Sequence, residues 1–259
     1  MKEKIYTIPV MDAFNTDCEC PLCALEHKLE DEAIEYTLGP SMMEPDSRVE
    51  SNQKGFCKHH FSLLYSKQQN RLSLALVIDT HMQQHNDTLV KCFDTKKKEV
   101  KKDAAVPASK AILSKFSSRA SQTSCLVDQM IHHLENLENT CVVCEKIKHT
   151  MERYLEVIFY LWKKESDFRD TFTKTKGFCL SHTKDLLLAS KKYLSNPQLA
   201  EFLLVLMPME IEHAKRVQED VNWFTKKFDY RYQDSPWKNA KDAVPRSIEK
   251  IVGYARLTK

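Results

Sequence analysis

Cys20–Cys23, which reads Cys-Pro-Leu-Cys, is followed after 33 residues (24–56) by Cys57–His60, which reads Cys-Lys-His-His. The same arrangement returns 121 residues later, where Cys141–Cys144 (Cys-Val-Val-Cys) precedes Cys179–His182 (Cys-Leu-Ser-His) by 34 residues (145–178). Residues of the same kind at the same spacing indicate an internal duplication. This repeat is the feature from which the fold is predicted.

A Gly-Phe pair precedes the third cysteine of each copy, as Gly55-Phe56 and as Gly177-Phe178. These are two of only four glycines in 259 residues. Glycine at one repeated position predicts a backbone with positive φ or a close approach to the metal loop. Its scarcity elsewhere disfavours glycine-turn β folds and glycine-rich phosphate loops, and it favours helices.

Helical periodicity fills the sequence between the ligand pairs. The first copy has apolar residues every three or four positions, at Leu22, Leu25, Leu29, Ala33 and Tyr36. The second copy has the same stripe, at Val143, Ile147, Met151, Tyr154 or Leu155, Ile158 and Leu161. Another long helix is expected after each histidine, and Pro197 marks the start of one. The sequence therefore predicts an all-α fold of two related helical-hairpin units, each clipped by a metal.

The repeat divides the chain into three segments. Residues 1–103 are the first helical metal-binding unit, 104–228 are the second, and 229–259 are a C-terminal segment that caps one of them. A short helix is expected in that segment from about Asp242 to Ile251. Asp94–Asp103 is rich in lysine, and with the following stretch to Ser109 it is interpreted as a linker or a frayed helix end, because charge runs are mostly solvated.

Three thiolates and one imidazole form a complete tetrahedral ligand set for zinc. Two-residue spacing lets both side chains of a pair reach one ion, and the fold must bring the second pair back to it. Such a site closes a loop of roughly 35 residues and stabilises a small helical unit. Four protein ligands leave no open coordination position, so the prediction is two structural Zn²⁺ ions per chain. We assign one site to each copy: Cys20, Cys23, Cys57 and His60 in the first, and Cys141, Cys144, Cys179 and His182 in the second.

Iron is the alternative metal, since thiolate-rich sites also hold iron–sulfur clusters. Two residues next to the first-copy ligands, Cys18 and His59, are alternative ligands there. The second copy has Asn139 and Ser181 at the corresponding positions. The symmetry of the repeat therefore favours the original ligand sets.

Other candidate residues have simpler interpretations. Cys92 and Cys125 have no repeat partner and are expected to be small core residues. His81 and His85 share a helix face but lack the carboxylate of a zincin motif, so a solvated or partly packed face is predicted. The Glu-x-x-His motif at 210–213 occurs once, whereas di-iron helix bundles need two.

Net charge and hydropathy limit which kinds of partner and which cellular compartment we expect for this chain. With 39 basic and 36 acidic side chains the net charge is +3, which provides no global field for nucleic acid or an anionic membrane. A nucleic-acid contact remains open if Lys96–Lys102 shares a face with Lys191 and Lys192. The N-terminus lacks the apolar core of a signal peptide, and no apolar stretch approaches the roughly 20 residues that span a bilayer. We expect a cytoplasmic protein whose nine cysteines stay reduced.

The chain resembles an uncharacterised family of bacterial cytosolic proteins, a domain of unknown function. The resemblance rests on a Cys-Pro-x-Cys motif followed by a helix, on a Gly-Phe-Cys-x-x-His motif, and on a second copy of both. The resemblance extends over most of the chain through the eight ligand positions and their Gly-Phe neighbours. Val142 in place of Pro21 is a departure that leaves the ligands intact. The resemblance implies a helical, metal-binding bacterial protein, and it supplies no activity or substrate.

These patterns specify a closed metal site without a recognisable nucleophile, base or substrate pocket. We therefore predict a non-enzymatic zinc-binding interaction or regulatory protein whose partner is a protein. One alternative is an iron–sulfur or thiol-dependent redox protein or enzyme. Another is a metal sensor or zinc store, which would lose its metal reversibly and keep its fold.

Overall fold

The structure, a computed structural model, describes residues 3–68, 70–105 and 121–257. Within these ranges the chain forms eleven α-helices, two 3₁₀ turns (Pro40–Met43 and Tyr230–Tyr232) and no strand, so the predicted all-α fold is confirmed. No helix in the same ranges has the length and apolar character needed to cross a membrane. The helices are α1 (Glu3–Phe14), α2 (Pro21–Leu38), α3 (Pro45–Lys54), α4 (Lys58–Ser66), α5 (Arg71–Ala104), α6 (Gln122–Asn139), α7 (Val142–Lys164), α8 (Ser166–Thr173), α9 (Leu180–Tyr193), α10 (Asn196–Lys226) and α11 (Ala243–Val252).

Two compact units make up the chain, and each takes residues from both copies of the repeat. Unit 1 comprises residues 1–30 and 147–259, and unit 2 comprises residues 31–146. The segments 1–103 and 104–228 were each drawn around one copy of the repeat. Each compact unit instead contains part of the first copy and part of the second. Helices α2 and α7 begin in one unit and end in the other.

The core of unit 1 is aromatic. Trp162, Phe172, Phe178 and Phe202 are fully buried, and Phe14 joins them. The ring centroids of Phe172 lie 5.1 Å from Trp162, 5.4 Å from Phe178 and 5.8 Å from Phe14. Aromatic pairs at these distances add about 0.5–1.5 kcal/mol beyond the burial of their area. Because Phe178 directly precedes Cys179, this core also fixes a predicted ligand.

Unit 2 has a smaller aliphatic core, formed by Ile34, Leu38, Leu64, Leu74, Val77 and Leu126. Helix α5 packs against α3 and α6. The stretch Asp94–Asp103, interpreted from sequence as a linker or frayed end, instead continues the regular helix α5 to Ala104. Lysine has a high helix propensity, and α6 packs against the C-terminal part of α5, where Lys96 and Asp103 bond to Gln122 and Thr123, which explains the difference. Most of Ala104–Ser109 lies outside the described residues.

In the C-terminal segment, α11 spans Ala243–Val252, one residue from the predicted bounds at each end. It packs against α9 and α10 in unit 1. The helix ends at Gly253, whose φ of +88° is a conformation that favours glycine. This segment has no counterpart in the first copy of the repeat.

Candidate metal centres

All eight predicted ligands come together in two groups of four. Site 1 comprises Cys20, Cys23, Cys179 and His182, all in unit 1, and site 2 comprises Cys57, His60, Cys141 and Cys144, all in unit 2. Within each group the four ligand atoms lie within 4.8 Å of one another. The prediction of one Cys₃His group in each of two helical units is confirmed.

The predicted division of the ligands between the two sites is wrong. Each Cys-x-x-Cys pair meets the Cys-x-x-His pair of the other copy, so Cys20 groups with Cys179 and Cys57 groups with Cys141. Helix length explains the exchange. At 1.5 Å per residue the 18 residues of α2 carry the chain about 27 Å away from Cys20, whereas the 10 residues of α3 provide only about 15 Å for the return. In the second copy the mismatch is larger, since α7 has 23 residues and α8 has 8.

Distances within each group fit one tetrahedral ion. With Zn–S near 2.3 Å and Zn–N near 2.0 Å, two sulfur ligands lie about 3.8 Å apart, and a sulfur and a nitrogen about 3.5 Å apart. The observed Sγ–Sγ distances are 3.6 Å for Cys23–Cys179 and 3.8 Å for Cys57–Cys144. The distances from Nδ1 of His182 to its three sulfur atoms are 3.2–3.5 Å, and those from Nδ1 of His60 are 3.2–3.4 Å.

Every ligand pair lies at a helix N-terminus. Cys57 and Cys179 are the N-cap residues of α4 and α9, and the two Cys-x-x-Cys pairs begin α2 and α7. In site 1 the Sγ of Cys179 accepts from the backbone N–H of His182 at 3.4 Å. Unpaired N–H groups and the positive end of the helix dipole stabilise thiolates, which are the form that binds a metal. Because two residues separate the two ligands of a pair, the first ligand can cap the helix while the second lies in its first turn.

The chain belongs to DUF6062, a family of unknown function. The match covers residues 1–257, which confirms the resemblance to an uncharacterised family. No curated protein and no solved structure matches the chain.

Both Gly-Phe pairs of this DUF6062 chain have the role expected from the sequence. Gly55 and Gly177 adopt φ of +62° and +78°, which turns the chain into the ligand pair. Both are also closely approached: a Cβ would lie 2.7 Å from the ring of His81 at Gly55, and 2.8 Å from Oε1 of Glu210 at Gly177. The predicted positive φ is therefore confirmed, whereas the close approach is to the side chains of His81 and Glu210 and not to the metal loop.

Site 1 has a carboxylate behind its histidine. Nε2 of His182 lies 3.5 Å from Oε2 of Glu26, which is one helical turn after Cys23 on α2. A carboxylate at the second ring nitrogen fixes the tautomer and raises the basicity of a metal-binding histidine. Burial alone would lower the pKa of His182, but hydrogen bonds to Cys179 and Cys20 outweigh it and raise the pKa to about 10. Hydrogen bonds from Cys20 and Cys23 lower the pKa of the Cys179 thiol.

A buried lysine joins the two segments that carry the ligands of site 1. Nζ of Lys250, on α11, donates to the carbonyl of Glu19 at 2.8 Å and to the carbonyl of Lys176 at 2.6 Å. Glu19 directly precedes the Cys-x-x-Cys pair, and Lys176 begins the Gly-Phe turn into Cys179. Lys250 thereby positions both pairs through the backbone. Two charge-assisted hydrogen bonds from one buried ammonium group are a strong restraint.

Site 2 is joined by the backbone and by an exposed ion pair. The N–H of Val142 donates to the carbonyl of Gly55 at 3.2 Å, and the hydroxyl of Thr140 donates to the carbonyl of Lys54 at 2.8 Å. Nζ of Lys54 also lies 2.5 Å from Oε2 of Glu145. These contacts hold the Gly-Phe turn of the first copy against the Cys-x-x-Cys pair of the second, and thus support the exchanged pairing.

Residues weighed as alternative ligands lie outside both groups. Cys18 and His59 belong to neither Cys₃His set. Cys92 and Cys125 are half-buried, not fully buried as expected for core residues. His85 pairs with another histidine: its Nδ1 lies 3.0 Å from Nε2 of His133.

Sequence reasoning missed the residues that support site 1. Glu210, from the Glu-x-x-His motif, accepts the N–H of Phe178 at 2.7 Å and so braces the turn next to Cys179. Glu26 could have been found from its position three residues after Cys23, which places it one turn along the same helix. Lys250 and Gly253 had no such signal, because the C-terminal segment is not part of the repeat.

Proposed function

We propose that this chain is a non-enzymatic zinc-binding protein in which two Cys₃His sites fix the helical scaffold. The observation that carries the proposal is the geometry of the two groups, each with sulfur and nitrogen atoms at the separations of ligands on one tetrahedral ion. Zinc would be held by Cys20, Cys23, Cys179 and His182 in site 1, and by Cys57, His60, Cys141 and Cys144 in site 2.

The same geometry favours a single ion over an iron–sulfur cluster. A cluster distributes its four ligands over several metal atoms, so most ligand sulfur atoms lie farther apart than two ligands of one ion. One Sγ–Sγ distance in each site, 3.6 Å in site 1 and 3.8 Å in site 2, matches two ligands on the same ion, and all four ligand atoms of each group lie within 4.8 Å of one another. Three thiolates with one imidazole are a ligand set typical of tetrahedral structural zinc sites.

A structural role is supported by the number of ligands. Four protein ligands fill a tetrahedral shell, whereas catalytic zinc keeps a position for water or substrate. Closing the shell with two distant segments in each unit converts binding energy into folding energy. The proposed role is therefore to hold two small helical units in a form that a partner recognises.

We propose a protein partner and a cytoplasmic location. The near balance of 39 basic and 36 acidic side chains disfavours a nucleic-acid role, and Leu204, Met207 and Ile211 are exposed on one face of α10. A reducing compartment keeps the six thiol ligands available to a metal.

Elemental analysis of anaerobically purified protein tests the proposal, with Cys57→Ser and Cys179→Ser as variants. Two zinc ions per chain, falling by one in each variant, are the expected result. Iron with sulfide would replace the proposal by the redox alternative. Protein without stoichiometric metal would refute it.

A further inference from the structure

The two sites differ in exposure. All four ligands of site 1 are buried. In site 2, His60 and Cys141 are buried, Cys57 is half-buried and Cys144 is exposed. The ligand sets are chemically identical, so any difference in behaviour comes from what surrounds them.

Site 1 is covered by the C-terminal segment. A Cβ built on Gly253 would lie 3.7 Å from the sulfur atoms of both Cys23 and Cys179, so the backbone of Gly253 packs directly over two ligands. Lys250, three residues earlier, is tied to carbonyl groups on both sides of the site. This segment therefore blocks direct approach to the sulfur atoms of Cys23 and Cys179 from its side, and a cavity of about 250 Å³ lies against Cys20 and Cys23.

Site 2 presents one ligand to solvent. Cys144 is at the first turn of α7, and its sulfur completes the group with Nδ1 of His60 at 3.4 Å and Sγ of Cys57 at 3.8 Å. Ligand substitution at tetrahedral zinc proceeds through a five-coordinate state, so it requires access for the entering ligand. Site 2 provides that access beside Cys144 without any rearrangement.

We propose that site 2 is an exchangeable metal site and site 1 a permanent one, an inference that rests on the proposed function. In the exchange an entering thiolate forms a metal–sulfur bond, and the bond from the metal to Sγ of Cys144 breaks. The released Cys144 thiolate takes up a proton from water. The metal keeps its oxidation state, so no oxidant or reductant takes part. The acceptor is a thiolate ligand, from a small thiol or from a Cys-x-x-Cys segment of another protein.

Zinc transfer from the full chain loaded with two zinc ions tests this. The chromophoric chelator 4-(2-pyridylazo)resorcinol reports zinc release, alone or with added glutathione or a Cys-x-x-Cys peptide. Two phases of one zinc each are expected, with rates that differ at least about tenfold, equivalent to about 1.4 kcal/mol of opening free energy. Added thiol accelerates only the fast phase, and comparison of the two additions tells whether a small thiol suffices.

Cysteine labelling assigns the phases without relying on a variant that folds poorly. Protein quenched with N-ethylmaleimide after the fast phase should carry label on Cys57, Cys141 and Cys144, while Cys20, Cys23 and Cys179 remain protected. Cys18, Cys92 and Cys125, outside both groups, provide the internal reference for labelling.

The outcomes separate this inference from the proposed function. Two zinc ions released at one common rate, or label appearing first on the site 1 cysteines, would overturn the inequality of the sites and leave zinc binding intact. Fewer than two zinc ions per chain at the start would overturn the proposed function itself.

Discussion

Replacing Lys250 with methionine tests how site 1 is built. The side chain of Lys250 is only 8% exposed, and its Nζ satisfies two backbone carbonyls, those of Glu19 and Lys176. Methionine keeps most of the apolar stem and removes the donor. Both carbonyls then lose their partner, and the segments they belong to carry the two ligand pairs of site 1.

The cost can be worked out from these contacts. Hydrogen bonds from a charged donor contribute about 1.5–3 kcal/mol each, so two of them amount to about 3–6 kcal/mol. Burial lowers the pKa of Lys250, which shows that the charged form is partly desolvated and that its removal recovers some free energy. We expect a net loss of about 2–4 kcal/mol in the free energy of unfolding of unit 1. Affinity for zinc at site 1 should fall by about ten- to a hundredfold, as for other residues that orient ligands.

Urea unfolding of the zinc-loaded protein and zinc competition with a fluorescent chelator measure the two effects. Lys215→Met is the matched control, because Lys215 is 74% exposed on α10 and should change stability by less than about 0.5 kcal/mol. Zinc binding at site 2 should not change in either variant. A loss below about 1 kcal/mol in Lys250→Met, with unchanged affinity at site 1, would refute the argument that Lys250 positions the ligands.

Three further predictions follow from the same contacts. Glu26→Gln removes the charge behind His182 and should weaken zinc binding at site 1 by about ten- to a hundredfold, measured by competition; equal weakening at site 2 would contradict it. Gly177→Ala imposes a side chain at φ +78° against Glu210 and should cost at least about 1–3 kcal/mol; a urea midpoint unchanged from that of the parent protein would contradict it. Chelation of both zinc ions should reduce helical circular dichroism, and because the ligands must be deprotonated, affinity should fall on acidification; an unchanged spectrum after metal removal would argue against structural sites.

Periodicity and composition were sufficient to predict the all-α class and the helices that follow the Cys-x-x-Cys pairs, but not the continuation of α5 through Asp94–Asp103. Local signals specify them: the apolar stripe from Leu22 to Tyr36 lies in α2, and Pro197 is in the first turn of α10. The eight candidate ligands were likewise visible, because two-residue spacing at a helix start is a local property. The Gly-Phe turns were predictable for the same reason, as positive φ at a repeated glycine requires no knowledge of tertiary structure.

Pairing of the segments was not predictable from spacing alone. A connection of 33 or 34 residues is compatible with a site inside one copy, and the symmetry of the repeat is satisfied by either pairing. The deciding quantity is the length of α2 relative to α3, and of α7 relative to α8, which depends on where each helix ends. The packing of the C-terminal segment over site 1 was also not predictable, because Lys250 is more than sixty residues from His182 and lies outside the repeat.

The exchanged pairing is the central claim, and zinc stoichiometry in two double variants tests it most directly. Cys23→Ser with Cys179→Ser removes two ligands from site 1 alone, so one zinc ion per chain should remain. Cys23→Ser with Cys57→Ser removes one ligand from each site, so both ions should be lost or weakly held. One retained ion in the second variant and none in the first would contradict the account and restore the pairing within each copy.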